Sequence, residues 1–144
     1  MGKVGVKRWA LYFTGYQQVE VREEPLAAPG PGQVQVQTLV SAISPGTEGL
    51  IYNNLFPEEL ALDESIVSLA GPFGYPLKYG YCLVGRVCIL GEGVSPEWQD
   101  QQVFAFHPHE SAFNASPDEL MLIPSGIDAG EAVFLPNMET AVNL

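Results

Sequence analysis

The stretch Pro29–Glu48, PGPGQVQVQTLVSAISPGTE, sets the fold class. Val34, Val36, Thr38, Val40 and Ala42 recur at every second position, with Gln33, Gln35, Gln37 and Ser41 between them. Successive side chains of a strand point to opposite faces, so this period of two predicts a half-buried β-strand. The glutamine face turns either to solvent or to a cleft. The loop AAPGPG at residues 27–32 precedes the strand, and Ser44-Pro45-Gly46-Thr47-Glu48 breaks it. Proline donates nothing to a ladder and glycine permits a tight turn. A short helical turn through Leu50 to Asn53 follows.

The same alternation continues toward the N-terminus. Trp9, Leu11 and Phe13 alternate with Arg8, Ala10 and Tyr12; Val19 and Val21 alternate with Glu20 and Arg22. With Gly15 between, this reads as strand, turn, strand, ended by Pro25. In the other direction, residues 54–70 set Glu58, Glu59, Asp63 and Glu64 on a few apolar anchors, a solvated surface excursion that is partly helical at most. The loop GPFGYPLKYGY leads into the apolar run Tyr81–Leu90, a buried strand, and Gly91–Pro96 is a turn. Val103–Phe106 and Glu119–Ile123 are two more short strands separated by a loop. Asp128 has Glu131 three residues on, the spacing of a helix cap, and Asp128–Leu135 is helical in pattern. Pro136 suits a break or a new first turn, and Asn137–Leu144 has helical composition with no stop signal. Many short strands between Gly/Pro turns predict a mainly β barrel or sandwich with one or two helices at its C-terminal end.

Composition narrows the function classes. The chain has 144 residues, enough for one domain with a real core, and 15 glycines and 12 prolines argue against a helix bundle. Six basic residues against 17 acidic ones give a formal net charge of −11, with only Lys78 and Arg86 basic after Arg22. Such a surface repels phosphate backbones and anionic lipids, so neither nucleic acid nor a membrane is an expected partner. The two cysteines, Cys82 and Cys88, lie in one apolar run without CxxC spacing and read as small packed hydrophobes. No signal-peptide core and no run of about 18 apolar residues is present, so the default is a soluble, reduced, cytoplasmic protein.

The order of these segments resembles the N-terminal lobe of the medium-chain dehydrogenase/reductase (alcohol dehydrogenase-like) superfamily, a GroES-like, partly open β-barrel. The resemblance is carried by PGPGQVQVQTLVSAISPGTE, by KYGYCLVGRVCILGEGV at residues 78–94, by QQVFAFHPH at residues 101–109 and by EAVFLPNMETAVNL at residues 131–144. Within the superfamily, YPLKYGY, FAFHPH and LPNMETA are similar to a zinc-poor subgroup that includes bacteriochlorophyllide hydroxyethyl dehydrogenase-like proteins. It implies residues 1–127 as the barrel and residues 128–144 as the start of a helical connection to a Rossmann domain that this chain lacks.

Zinc members place a Cys-Gly-Thr-Asp segment where this chain has Pro45-Gly46-Thr47-Glu48, and Gly-His-Glu where it has Gly80-Tyr81-Cys82. Zinc needs about four N, S or O donors, and proline and tyrosine stand at two donor positions. The segment HPHESAFNASPDE, where the four-cysteine structural loop falls, has no cysteine. A structural zinc is therefore not expected, nor is the usual catalytic zinc. The glycine-rich dinucleotide turn of the Rossmann half is also missing, and Gly91-Glu92-Gly93 is no substitute because no helix-starting third glycine follows.

Five residues form the expected catalytic set: Thr47, Glu48, Tyr81, His107 and His109. The two histidines flank Pro108, and an extended His-x-His points both rings to one side, suiting a proton relay, a metal site, or plain bonds to backbone carbonyls. With Glu139 they would make a two-His, one-carboxylate set. The resemblance puts Glu48 at the position of a cleft-orienting acid; capping the helical turn is the other reading. Thr47 offers a hydroxyl to a substrate alcohol. Tyr81 either replaces the lost ligand as a donor or fills the barrel edge. Phe73, Tyr75 and Tyr79 either line a large planar substrate or pack on themselves.

The function this implies is the substrate-binding lobe of an NAD- or NADP-dependent oxidoreductase acting on a small-molecule alcohol or carbonyl substrate, inactive without its cofactor domain. The alternative is a free-standing GroES-like binding module without catalysis. It would bury the apolar residues of the terminal helix, Met138, Val142 and Leu144 among them, in a homodimer.

Overall fold

A computed structural model describes residues 5–55 and 74–144. The acidic excursion and Phe73 lie outside these described residues. Strand β1 (Val6–Gly15) and β2 (Gln18–Leu26) form an antiparallel hairpin. Its turn places Gln17 in the left-handed region, φ 53°, and ties to the end of a helix through Gln17 N–H donating to the Tyr52 carbonyl at 2.7 Å. Pro25 does not end β2. It pairs with Lys7 in register, which an edge strand tolerates because the missing N–H faces outward.

The second sheet has five antiparallel strands in the order β6-β3-β4-β5-β7: β3 (Val34–Ser41), β4 (Leu83–Leu90), β5 (Gln102–Ala105), β6 (Ala112–Ala115) and β7 (Met121–Leu122). Two isolated bridges, Ala10 with Glu110 and Phe13 with Leu77, tie β1 to the segments that precede β6 and β4, and among the described residues the two sheets do not close into a barrel. The mainly β, partly open arrangement matches the expectation. The stretch expected as loop after His109 contains β6, and the strand expected at 119–123 shortens to β7 behind a 3-10 turn at Pro117–Glu119.

The even alternation expected for residues 34–42 does not survive intact. The β3–β4 register slips between Thr38 and Val40, so Leu39 is an extra residue opposite no partner. A bulge of one residue exchanges the faces of everything beyond it. Val34 and Val36 pack with Leu83, Val87, Val103 and Phe113, whereas Val40 and Ala42 pack on the other face with Val84, Phe104 and Val133. Ser41, opposite Leu83, thereby joins the face that carries Val36 and Thr38. Gly85 allows this close crossing, since a Cβ there would lie 2.4 Å from a Val36 methyl and 2.7 Å from the Gln37 carbonyl. Phe104 and Phe113 are fully buried, each worth about 1.5–3 kcal/mol over exposure.

Helix α1 (Pro45–Tyr52) is longer than the turn expected, with Pro45 in its first turn, where a missing N–H costs nothing. Helix α2 (Ala129–Ala132) is capped by the Asp128 carboxylate accepting from Gly130 N–H at 2.8 Å, so Asp128 caps as expected, through Gly130 and not Glu131. Helix α3 (Leu135–Val142) takes Pro136 into its first turn and has no buried residue. Among the described residues no helix is long and apolar enough to cross a membrane.

Candidate functional site

The site assembles where β3 ends, α1 begins, residues 79–82 enter β4, and the segment 107–111 crosses from β5 to β6. That last segment is fixed by backbone bonds: Leu11 N–H donates to the His109 carbonyl at 3.0 Å, Ser111 N–H to Trp9 at 2.8 Å, and Thr38 N–H to Ser111 at 3.0 Å. It delivers His109 into the interior.

His109 is buried, with Nε2 2.5 Å from Glu48 Oε1 and Nδ1 2.8 Å from Ser41 Oγ. Glu48 is only 2% exposed, and its other oxygen accepts the Ser44 N–H at 2.5 Å. Ser44 is the N-cap residue of α1, yet its hydroxyl makes no cap bond and instead accepts from Tyr81 Oη at 2.6 Å. Glu48 thus secures the start of α1 and holds a histidine. Gly80 lies against the imidazole at φ 155°, and a Cβ there would stand 2.9 Å from His109 Nε2. The pair is therefore closed in by α1 on one side and backbone on the other.

A second cluster braces the first. Glu110, 5% exposed, accepts from Arg8 Nη1 at 2.9 Å and from Lys78 Nζ, and lies 2.7 Å from His107 Nε2. Burial pushes its carboxyl up, but hydrogen bonds and charge from His107 and Lys78 outweigh this and hold it below the ordinary carboxylate value. Arg8 also meets Glu24 at 3.1 Å, and Tyr12 Oη donates to Glu24. His107 stacks on Phe113, ring centroids 3.8 Å apart. Lys78, one of two basic residues in the last two-thirds of the chain, is thus engaged two positions before Gly80.

The structure brings together Glu48, His109 and, through Ser44, Tyr81. The two histidines do not share a site: His107 belongs to Glu110 and Phe113, His109 to Glu48 and Ser41, because the segment bends at His109 and is not a regular strand. Glu139 is exposed on α3, and among the described residues no side-chain bond joins it to either histidine. Thr47 is half-buried on α1, and among the described residues its side chain bonds to none of the others. Tyr75 and Tyr79 do not line an open wall; Tyr79 is buried with Phe13, Ile51 and Leu77, and Tyr75 Oη donates to the Ile51 carbonyl. Sequence reasoning missed Ser41, Ser44, Gly80 and Glu110. Only the i, i+4 spacing of Ser44 and Glu48 carried a local signal for any of them.

The donor set does not fit a catalytic zinc held as the resemblance implies: Pro45 and Tyr81 stand where it expects two donors, and both nitrogens of His109 are already engaged. Cys82 is no thiolate, since burial and the neighbouring Glu48 charge push its thiol up to about 11. Among the described residues no group of three or more His, Cys, Asp or Glu side chains is arranged to hold a metal ion. Gly91-Glu92-Gly93 does not fit a dinucleotide either: Gly91 N–H is spent on the Gln33 carbonyl at 2.7 Å, and the turn runs into the 3-10 turn Pro96–Trp98, not a long helix.

The sequence matches no protein-family model and no curated protein. Its fold is shared with solved enzymes, dehydrogenases among them. One is a short-chain alcohol dehydrogenase from E. coli CFT073 complexed with the cofactor NADH: TM-score 0.72, 16% identity, 96% of this chain and 45% of that chain covered. Another is 2R,3R-butanediol dehydrogenase from Bacillus subtilis, with TM-score 0.68, 14% identity, and 88% and 43% covered. The CurF ER cyclopropanase from the curacin A biosynthetic pathway has TM-score 0.74 and 22% identity, with 89% and 39% covered. The chain spans less than half the length of each, and at these identities the likeness establishes the fold.

Proposed function

We propose that this domain is the substrate-binding lobe of an alcohol dehydrogenase-like oxidoreductase of the medium-chain superfamily, in its zinc-poor subgroup, with residues 1–127 as the barrel and residues 128–144 leading into a second, cofactor-holding lobe. The enzyme would act in the cytoplasm on a small alcohol or carbonyl compound. NAD or NADP would supply the hydride chemistry from the second lobe, as no residue set here fits it. This lobe contributes orientation and proton handling. The observation that carries the reading is the buried Glu48–His109 pair, 2.5 Å apart, at the N-terminus of α1 on a fold shared with NADH-bound dehydrogenases. A carboxylate-braced imidazole is the equipment for moving an alcohol proton without a metal, a contribution of roughly 10²–10⁴-fold in rate. Thr47 and Tyr81 border the pair and complete the catalytic set, while His107 supports it through Glu110.

Reading the coding frame past Leu144 tests this. The proposal expects the helix to run into an apolar strand, then GxGxxG, with an acidic or basic residue about 20 positions later. A stop codon, or a continuation without that pattern, would overturn it. The exposed apolar side chains of α3, with Met138 49% and Val142 84% exposed, favour the second reading in that event: a binding module paired through this helix.

A further inference from the structure

We propose that Ser41 is the group through which His109 exchanges its proton with a bound substrate oxygen, an assignment that rests on the reading of the domain as an oxidoreductase lobe. The argument is one of hydrogen-bond capacity. Each oxygen of Glu48 has one partner, Oε2 the Ser44 N–H at 2.5 Å and Oε1 His109 Nε2 at 2.5 Å. A carboxylate that accepts a backbone N–H and an imidazole has no hydrogen to give, so Nε2 carries the hydrogen. With the ring neutral, its lone pair is at Nδ1, and Ser41 Oγ, 2.8 Å away, is placed to donate its own hydrogen there. Neither nitrogen is left for a ligand. Gly80 covers the ring, with room for no more than a hydrogen where a Cβ would be 2.9 Å from Nε2. His109 therefore cannot touch a substrate itself. Ser41 is half-buried, less enclosed than either partner, and its oxygen keeps a lone pair free to accept from an incoming hydroxyl.

The proton step balances within these atoms. When a nicotinamide held by the second lobe took the hydride from the alcohol carbon, the alcohol O–H bond would break and its proton would pass to Ser41 Oγ. The Ser41 hydrogen passes to His109 Nδ1, and the product is a carbonyl. His109 ends as an imidazolium facing the buried Glu48 carboxylate, which bears the opposite charge. Carbonyl reduction runs the same line backwards. The bulge at Leu39 is what makes this possible, since without it Ser41 would lie on the opposite face of β3.

The test has two readouts. In ¹⁵N-labelled protein, with His107→Asn assigning the signals, long-range ¹H–¹⁵N spectra should show His109 protonated at Nε2 and an Nδ1 signal of hydrogen-bonded acceptor type. Ser41→Ala should shift Nδ1 toward the free acceptor position, and Ser41→Thr should restore it. A His109 protonated at Nδ1 in the neutral form, or an Nδ1 signal indifferent to Ser41→Ala, would overturn the assignment. In the protein carrying both lobes, Ser41→Ala should lower kcat about 100-fold or more with KM little changed, and Ser41→Thr should recover most of it. Full activity in Ser41→Ala would overturn the relay while leaving the oxidoreductase reading intact. If the wild type moves no hydride, that reading fails, and the nitrogen spectra still decide whether Ser41 donates to His109.

Discussion

Replacing Glu110 with glutamine should cost this domain about 3–5 kcal/mol of stability at neutral pH, the usual penalty for removing one partner of a buried ion pair. The magnitude follows from the surroundings. Glu110 has a side chain 2% exposed, with Arg8 at 2.9 Å, Lys78 in contact and His107 at 2.7 Å. Without its charge, Glu24 alone faces both cations, at 3.1 Å from Arg8 and 3.8 Å from Lys78. Native domains have a margin of only about 5–15 kcal/mol, so Glu110→Gln should lower Tm by roughly 6–20 °C at about 2–4 °C per kcal/mol. Urea titrations should show a lower midpoint with an unchanged slope. The pH dependence fixes the mechanism. A carboxyl held below its ordinary value of 4.5 contributes stability that is fully present above that value and is lost as pH falls through the lower, folded-state value. The gap between wild type and variant should be constant from pH 7 to about 5 and close as the solution is acidified below 4. A gap under about 1 kcal/mol, or one that stays open in acid, would refute the argument that charge at Glu110 holds the segment carrying His109.

Three further outcomes follow from the same geometry. Gly80→Ala should displace the His109 ring, because its Cβ would sit 2.9–3.3 Å from three ring atoms; a cost of about 1–3 kcal/mol and a changed His109 Nε2 signal are expected, and an unperturbed signal would contradict the contact. Cys82, with its thiol at about 11, should resist iodoacetamide in native protein at pH 8 and react only on unfolding, followed by peptide mass mapping. If α3 mediates self-association, Met138→Glu should convert a dimer to a monomer in light scattering without changing Tm by more than a degree or two; a wild-type monomer at high concentration removes the homodimer.

Patterns confined to a few residues were legible from sequence. The β1–β2 hairpin, the β3 alternation up to Thr38, the apolar β4, the Asp128 cap and the Pro136 helix start each rest on local physics. What failed needed a partner strand. Pro25 is tolerated only because β2 is an edge, and β6 exists because Val36 and Gln37 of β3 pair with Phe113 and Ala112. Gln35, on a face open to two readings, is buried at 3% exposure because its amide donates to Asn114 Oδ1 and the Ala27 carbonyl. The site was half visible. Glu48 and His109 stood out as chemistry-bearing residues, but a serine displaced by a bulge leaves no trace in the sequence. The even spacing of His107 and His109 pointed to a shared site that the bend at His109 divides.

The most direct test of the central claim is hydride transfer by the protein carrying both lobes. Reduction of NAD or NADP should be followed at 340 nm over a panel of small alcohols after exhaustive chelation, with His109→Asn alongside. The account predicts alcohol-dependent reduction that persists after chelation and falls by about 100-fold or more in His109→Asn. Absence of alcohol-dependent reduction, its loss on chelation, or an undiminished His109→Asn would contradict it.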